Sequence, residues 1–277
     1  MRKGWSPVGR WYTANVVRIY LTGTLAVERP SLTIDESQFP SRQARLLFAC
    51  LACERSRVVP KDELAEILWP DEMPSAWETA LKALVSKLRH VLAPLREDTE
   101  DASEPLLITS HYRCYQLRLP ASSWVDWEAA RRSLDEAEGA IRSGKPREGW
   151  GPANVAVTVA RRGFLPGERG AWVEARRRSL AELLARALDC YGAISLVSGQ
   201  AELAAQVAEE AISRDPFRES GYQRLMHAHE RLGNRAEAVR AYHRCRELLA
   251  EELGVSPSPE TEALYVSILK RRQSAAD

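Results

Sequence analysis

The residues best suited to recognition chemistry gather between Ser75 and Ala93. Lys82, Lys87 and Arg89 supply cations there, and Thr79, Ser86 and His90 supply short polar groups. Arginine reads guanine with two parallel hydrogen bonds, whereas lysine more often holds a phosphate as a point charge. Hydroxyl and imidazole groups suit base edges or phosphate oxygens. A solvated amphipathic helix has the same composition, so the choice depends on the elements around it.

Four further residues join this set. Arg42 and Lys61 lie where helices are expected to begin, and backbone amides at helix N-termini also favour phosphate. His111 and Arg113 lie between two expected strands, within reach of a minor groove or a sugar–phosphate backbone; an ordinary exposed hairpin is the alternative. Other candidates point to packing. Cys50 and Cys53 have C-x-x-C spacing but sit in the apolar run Leu46–Cys53, with no second Cys/His pair near in sequence, and free Cys packs as a small hydrophobe. His227 and His229, two apart on a helix, point to different faces and make a poor metal pair. Trp124, Trp127, Trp150 and Trp172 read as packing residues rather than platforms for bases, as do Tyr191, Tyr222 and Tyr242. Arg176-Arg177-Arg178 reads as a solvated helix face, with a contact to DNA the alternative.

The chain carries none of the Walker, G-x-G-x-x-G, H-E-x-x-H or G-x-S-x-G motifs. No enzyme, cofactor or metal is expected. With 277 residues, 45% hydrophobic and 28% charged, two soluble globular domains are expected. No run of about 18 apolar residues suggests a membrane span. Met1–Asn15 lacks the apolar core of a signal peptide, so a cytoplasmic, nucleoid-associated location is expected. The net charge is +1, and neither residues 1–120 nor 121–277 are basic overall. Nucleic-acid binding would therefore rest on a local basic face.

The elements that would hold such a face can be read from periodicity. Val17, Ile19 and Leu21 alternate with Arg18, Tyr20 and Thr22, which is a half-buried strand; Leu25–Val27 and Leu32–Ile34 suggest two more. Ala44, Leu47, Phe48 and Leu51 recur at helical spacing behind Ser41, a candidate N-cap. Leu64, Ile67 and Leu68 form the stripe of a second helix between Pro60 and Pro70, with Asp62 and Glu63 in its first turn. Leu81, Leu84, Val85, Leu88 and Leu92 form the stripe of a third. After an acidic loop over Glu97–Glu104, Leu106–Ile108 and Tyr115–Leu117 read as strands joined tightly through Ser110–Arg113. Sheet, three helices and hairpin is the winged helix-turn-helix order.

From Trp124 the pattern is helical, at about 124–142, 153–162, 169–198, 200–214, 218–232, 235–252 and 259–271. Gly199-Gln200 and Gly233-Asn234 end two of these helices 34 residues apart, and Ala204/Ala238 and Ala211/Cys245 match at the same offset. That period is the tetratricopeptide signature.

Two blocks carry a resemblance to the Streptomyces antibiotic regulatory protein family. One is Lys61–Pro70 with Ser86-Lys87-Leu88-Arg89. The other is Phe164-Leu165-Pro166-Gly167, Trp172, Asp215–Glu219, Gly233–Ala238 and Glu252–Ser258, which resembles that family's bacterial transcriptional activation domain. The chain departs from the family pattern at Pro60, where Ser is common, at His111, where Gly is common, and in the Trp77-Glu78 start of the third helix.

The resemblance implies a mainly α fold with a small β component: a winged helix-turn-helix of response-regulator type, then an all-α tetratricopeptide-like domain. The expected division is an N-terminal extension at 1–15, a DNA-binding domain at 16–120, an activation domain at 121–272 and a tail at 273–277. It also implies a small, stand-alone activator of an antibiotic biosynthetic gene cluster. Its implied partners are promoter direct repeats, bound as a homodimer, and RNA polymerase with its principal sigma factor. If Arg176–Arg178 is not simply a solvated face, that run could assist the contact to DNA or to the sigma factor. The rival expectation is a repeat-type adaptor whose winged helix no longer binds specific DNA.

Overall fold

The computed structural model describes residues 16–30, 32–97 and 106–270. The extension expected at 1–15, the acidic loop from 98 onward and the tail at 273–277 lie outside the described residues. The chain divides into two compact units. One holds the residues up to Ala129 with Arg162–Leu180; the other holds Ala130–Arg161 and the residues from Ala181 on.

The first unit opens on the expected sheet. Strands β1 (Arg18–Tyr20), β2 (Ala26–Arg29) and β3 (Leu32–Asp35) pair antiparallel in sequence order. Ile19 faces Val27, and Val27 faces Ile34. All three are buried, as are Val17 and Leu21, so one face of each strand turns inward as period two requires. The expected helix at Trp124 begins later. Trp124 and Val125 form a strand that pairs parallel with β1, and Val125 extends the buried row beside Ile19.

Helix α1 (Arg42–Cys53) is capped by Ser41, whose Oγ accepts from the Ala44 amide at 3.2 Å. Ala44 and Leu46–Ala52 are buried, so α1 is covered on nearly every side. Cys50 is among them, and burial pushes its thiol up to about 12. Helix α2 (Lys61–Leu68) buries Leu64, Ala65 and Leu68. Pro60 gives it no side-chain cap; instead Val59–Pro60 is a short strand, and the Lys61 amide donates to the Arg113 carbonyl at 2.8 Å. Helix α3 (Trp77–Leu92) buries Leu81, Val85, Leu88 and Leu92, with Leu84 half-buried, and a single turn at Pro94–Glu97 follows it.

The hairpin strands Leu107–His111 and Cys114–Arg118 pair antiparallel, and Val59–Pro60 adds to the outer side of the second. His111 faces Cys114, so Tyr112 and Arg113 alone make the turn.

The Phe164–Gly167 block lies in this same unit. The Gly23 amide donates to the Gly163 carbonyl at 2.9 Å and the Leu165 amide to the Leu21 carbonyl at 3.1 Å. Phe164 is fully buried between the Trp127 and Trp172 rings, at centroid distances of 5.5 and 5.6 Å. Arg177 holds the turn by donating to the carbonyls of Phe164, Leu165 and Glu168 at 3.0, 2.7 and 3.0 Å. Arg176 donates to Glu54. The solvated face expected for Arg176–Arg178 is thus found at Arg178; its two neighbours are tied down within the fold.

The named elements of the second unit are all helices among its described residues. Helices Asp126–Arg142 and Ala171–Val197 contribute their C-terminal parts, together with Trp150–Ala160, Ala201–Arg214, Glu219–Arg231, Arg235–Leu253 and Pro259–Lys270. These are the helices the periodicity predicts, with ends shifted by a few residues at most. Gly199 and Gly233 take φ of 77° and 75°, the left-handed conformation that ends a helix at little cost for glycine. Ala204 and Ala238 are fully buried and Cys245 nearly so, whereas Ala211 is half-buried. Gly221 shows why the repeat needs small residues: a Cβ there would stand 2.9 Å from Ile212 Cγ1. Tyr222 and Tyr242 lie in the core with Leu225, Met226 and Leu249, as expected of repeat-packing residues.

Candidate nucleic-acid interface

The geometry of α3 follows from its stripe. Four buried apolar residues fix one face inward, so the helix must present the other. That outer face carries Thr79, Lys82, Ala83, Ser86, Lys87 and His90, all exposed. Lys82 and Ser86 are neighbours at i, i+4, as are Ser86 and His90. Ala83 leaves the surface beside them flat. A helix of 16 residues is about 24 Å long and fits the major groove of B-DNA, about 12 Å wide.

Arg89 is placed differently. Its Nε and Nη2 both donate to the Ile108 carbonyl, at 3.1 and 2.8 Å. The guanidinium fastens the last turns of α3 to the hairpin.

The hairpin tip meets the starts of α2 and α3. Arg113 Nη2 reaches Asp62 Oδ1 at 3.2 Å and Glu78 Oε1 at 3.5 Å. Lys61, whose amide holds the Arg113 carbonyl, places its ammonium 5.6 Å from the Tyr115 ring centroid. Lys61 and Arg113 are therefore brought together, beside two carboxylates that offset their charge. His111 is exposed at the same turn. Arg42 faces elsewhere: its Nε donates to Glu168 at 2.9 Å and its Nη2 to the Arg169 carbonyl at 2.6 Å. Arg45 shares the same carboxylate, at 2.9 Å.

Tyr112, within the tight connection expected at Ser110–Arg113, is not among the candidate contacts named from the sequence. It is fully exposed at the hairpin tip with φ of 51°, a conformation costly for a side chain with a Cβ. A tyrosine in a two-residue turn was the available signal.

Among the described residues no group of His, Cys, Asp and Glu is placed to hold a metal ion. No described helix is long and apolar enough to cross a membrane.

Comparison with known proteins adds to this geometry. Residues 125–269 match the bacterial transcriptional activator domain. The chain is 29% identical over 237 residues to the regulatory protein AfsR of Streptomyces coelicolor, an alignment that covers 86% of this chain and 23% of AfsR. It is 28% identical over 278 residues to the transcriptional regulatory protein MoaR1 of Mycobacterium tuberculosis, covering 94% of this chain and 81% of MoaR1. The chain thus spans about a quarter of the first relative and most of the second. Among solved structures, Mycobacterium tuberculosis EmbR in complex with a low affinity phosphopeptide superposes with a TM-score of 0.81 at 22% identity, covering 92% of this chain and 65% of EmbR. At that identity the likeness concerns the fold: a winged helix followed by tetratricopeptide-like helices.

Proposed function

The chain belongs to the bacterial transcriptional activator domain family, the Streptomyces antibiotic regulatory protein type of transcriptional regulator, and from that premise we propose that it activates a specialised-metabolite gene cluster by binding promoter DNA sequence-specifically. The observation that carries this reading is the outer face of α3, where Lys82, Ser86, Lys87 and His90 stand exposed opposite four buried apolar residues. Such a helix enters a major groove with its short polar groups on base edges and its lysines on phosphates. We assign DNA contact to residues 16–120 and the activation surface to 121–272. Binding is to direct repeats as a homodimer, and the activation surface recruits RNA polymerase through its principal sigma factor. The site of action is the cytoplasmic nucleoid, and no catalytic step is involved.

Footprinting over the promoters flanking its own gene tests this reading. The expected result is protection of two repeats about one helical turn, or a multiple of it, apart. The rival reading, an adaptor without specific DNA binding, draws on the engagement of Arg42, Arg89 and Arg113 within the protein. It requires that no sequence be protected even at low salt.

A further inference from the structure

A chain of charged contacts runs through the first unit without using any residue of the α3 face. Arg176 donates to Glu54, the residue that closes α1. Glu54 also accepts from Arg57 Nε at 2.7 Å. Arg57 Nη1 in turn donates to Glu63 at 2.9 Å, in the first turn of α2. The four charges alternate in sign. Arg176 and Glu54 are largely shielded, with side chains 25% and 17% exposed, so their attraction is screened less than that of an open surface pair.

Both ends of the chain are anchored. The Arg176 guanidinium lies 5.5 Å from the centroid of the Trp172 ring, and Trp172 packs against the buried Phe164. At the other end, α2 lacks a side-chain cap at Pro60, so its first turn depends on the Lys61–Arg113 backbone bond, on the contact of Arg113 with Asp62 and on the hold that Arg57 has on Glu63. The connection between α1 and α2 is pinned a second time. Arg55 grips Glu128 through two nitrogens, at 2.5 and 2.7 Å, and its carbonyl accepts from Gln116 Nε2 at 2.9 Å. Since α2 packs against α1 and α3, a shift in its first turn is passed to α3.

We infer that Arg176 is a positioning residue for DNA recognition: through Glu54, Arg57 and Glu63 it fixes the start of α2, and with it the angle at which α3 meets the groove. The inference rests on the DNA-binding reading above. It places control of the recognition helix in a residue more than eighty positions downstream that need not touch DNA.

The test measures affinity for the footprinted promoter fragment, at one salt concentration, together with the thermal midpoint, using the whole chain. Arg176→Gln weakens binding about 3- to 10-fold at a temperature well below its midpoint. Glu63→Gln does the same. The double variant binds no more weakly than either single one, because both cut one chain, whereas Arg176→Gln and Lys82→Ala multiply. Arg176→Lys, which keeps the charge, restores most of the affinity. Should Arg176→Gln fail to fold, Glu63→Gln alone decides, by the same loss of affinity or by none. Unchanged affinity in the single variants, or effects of Arg176→Gln and Glu63→Gln that multiply, would overturn the inference. Absence of specific binding by the unaltered chain would instead refute the DNA-binding reading, and the inference with it.

Discussion

Arg89 donates two hydrogen bonds to the carbonyl of Ile108, at 3.1 and 2.8 Å. The one arginine in the exposed part of α3 is therefore a fastening between helix and hairpin. Arg89→Ala is expected to destabilise the protein by about 1.5–3 kcal/mol, the scale of a hydrogen bond from a charged donor. Urea unfolding measures this. An unchanged midpoint would return Arg89 to the set of free recognition residues.

Asp126 is a heavily bonded carboxylate among the described residues of the first unit. It is fully buried and accepts from the Leu21 amide at 2.9 Å, the Thr22 amide at 2.8 Å, the Thr22 hydroxyl at 2.6 Å and the Trp127 amide at 2.7 Å. Asp126→Ala leaves those donors buried and unpaired. A loss of about 3 kcal/mol or more is expected. Asp126→Asn, which retains one acceptor oxygen, loses less. Equal losses in both variants would show that the bonds matter less than the packing.

Acid should weaken the first unit through Glu63. The hydrogen bond from Arg57 holds the Glu63 carboxyl below its ordinary 4.5. A depressed folded value means that the stabilisation is full above the ordinary value and is lost as pH falls through the depressed one. The thermal midpoint should therefore hold from neutral pH to about 5 and decline below 4.5, with a smaller decline in Glu63→Gln. A decline of the same size in that variant would assign the effect to other carboxyls. Glu219 contributes in the same direction in the second unit. Burial alone would raise its carboxyl, but hydrogen bonds from Thr261 and Ser258 more than offset this and lower it.

Two glycines separate close packing from helix propensity. Gly221→Ala would force a Cβ to 2.9 Å from Ile212 Cγ1 and is expected to cost about 1–3 kcal/mol. Gly139→Ala, inside the Asp126–Arg142 helix with only Arg142 Nη2 near the new atom at 3.9 Å, is expected to gain about 0.5–1 kcal/mol. Opposite signs in a calorimetric scan bear this out; gains in both would mean that the repeat has room to spare.

Local patterns made much of this fold legible. The alternation of Val17, Ile19 and Leu21, the stripe of α3 and the 34-residue offset each follow from the neighbours of a residue in sequence. What escaped depends on distant partners. Trp124–Val125 and Val59–Pro60 are strands only because β1 and Cys114–Tyr115 lie beside them. The Arg176–Arg178 run looks solvated until Glu54 and the carbonyls of the Phe164 turn are brought to it. The candidate site divides in the same way. The outward face of Lys82, Ser86 and Lys87 could be read from helical spacing. The engagement of Arg42 with Glu168, and of Arg113 with Asp62 and Glu78, joins residues far apart in sequence, for which spacing carries no signal.

The central claim is that the outer face of α3 binds DNA. It is tested most directly by the salt dependence of binding to the protected promoter fragment. The log–log slope should be negative, and Lys82→Ala and Lys87→Ala should each reduce its magnitude by about 0.9, as expected when one fewer phosphate is neutralised, with the thermal midpoint unchanged. Slopes identical to that of the unaltered protein in both variants would contradict the account.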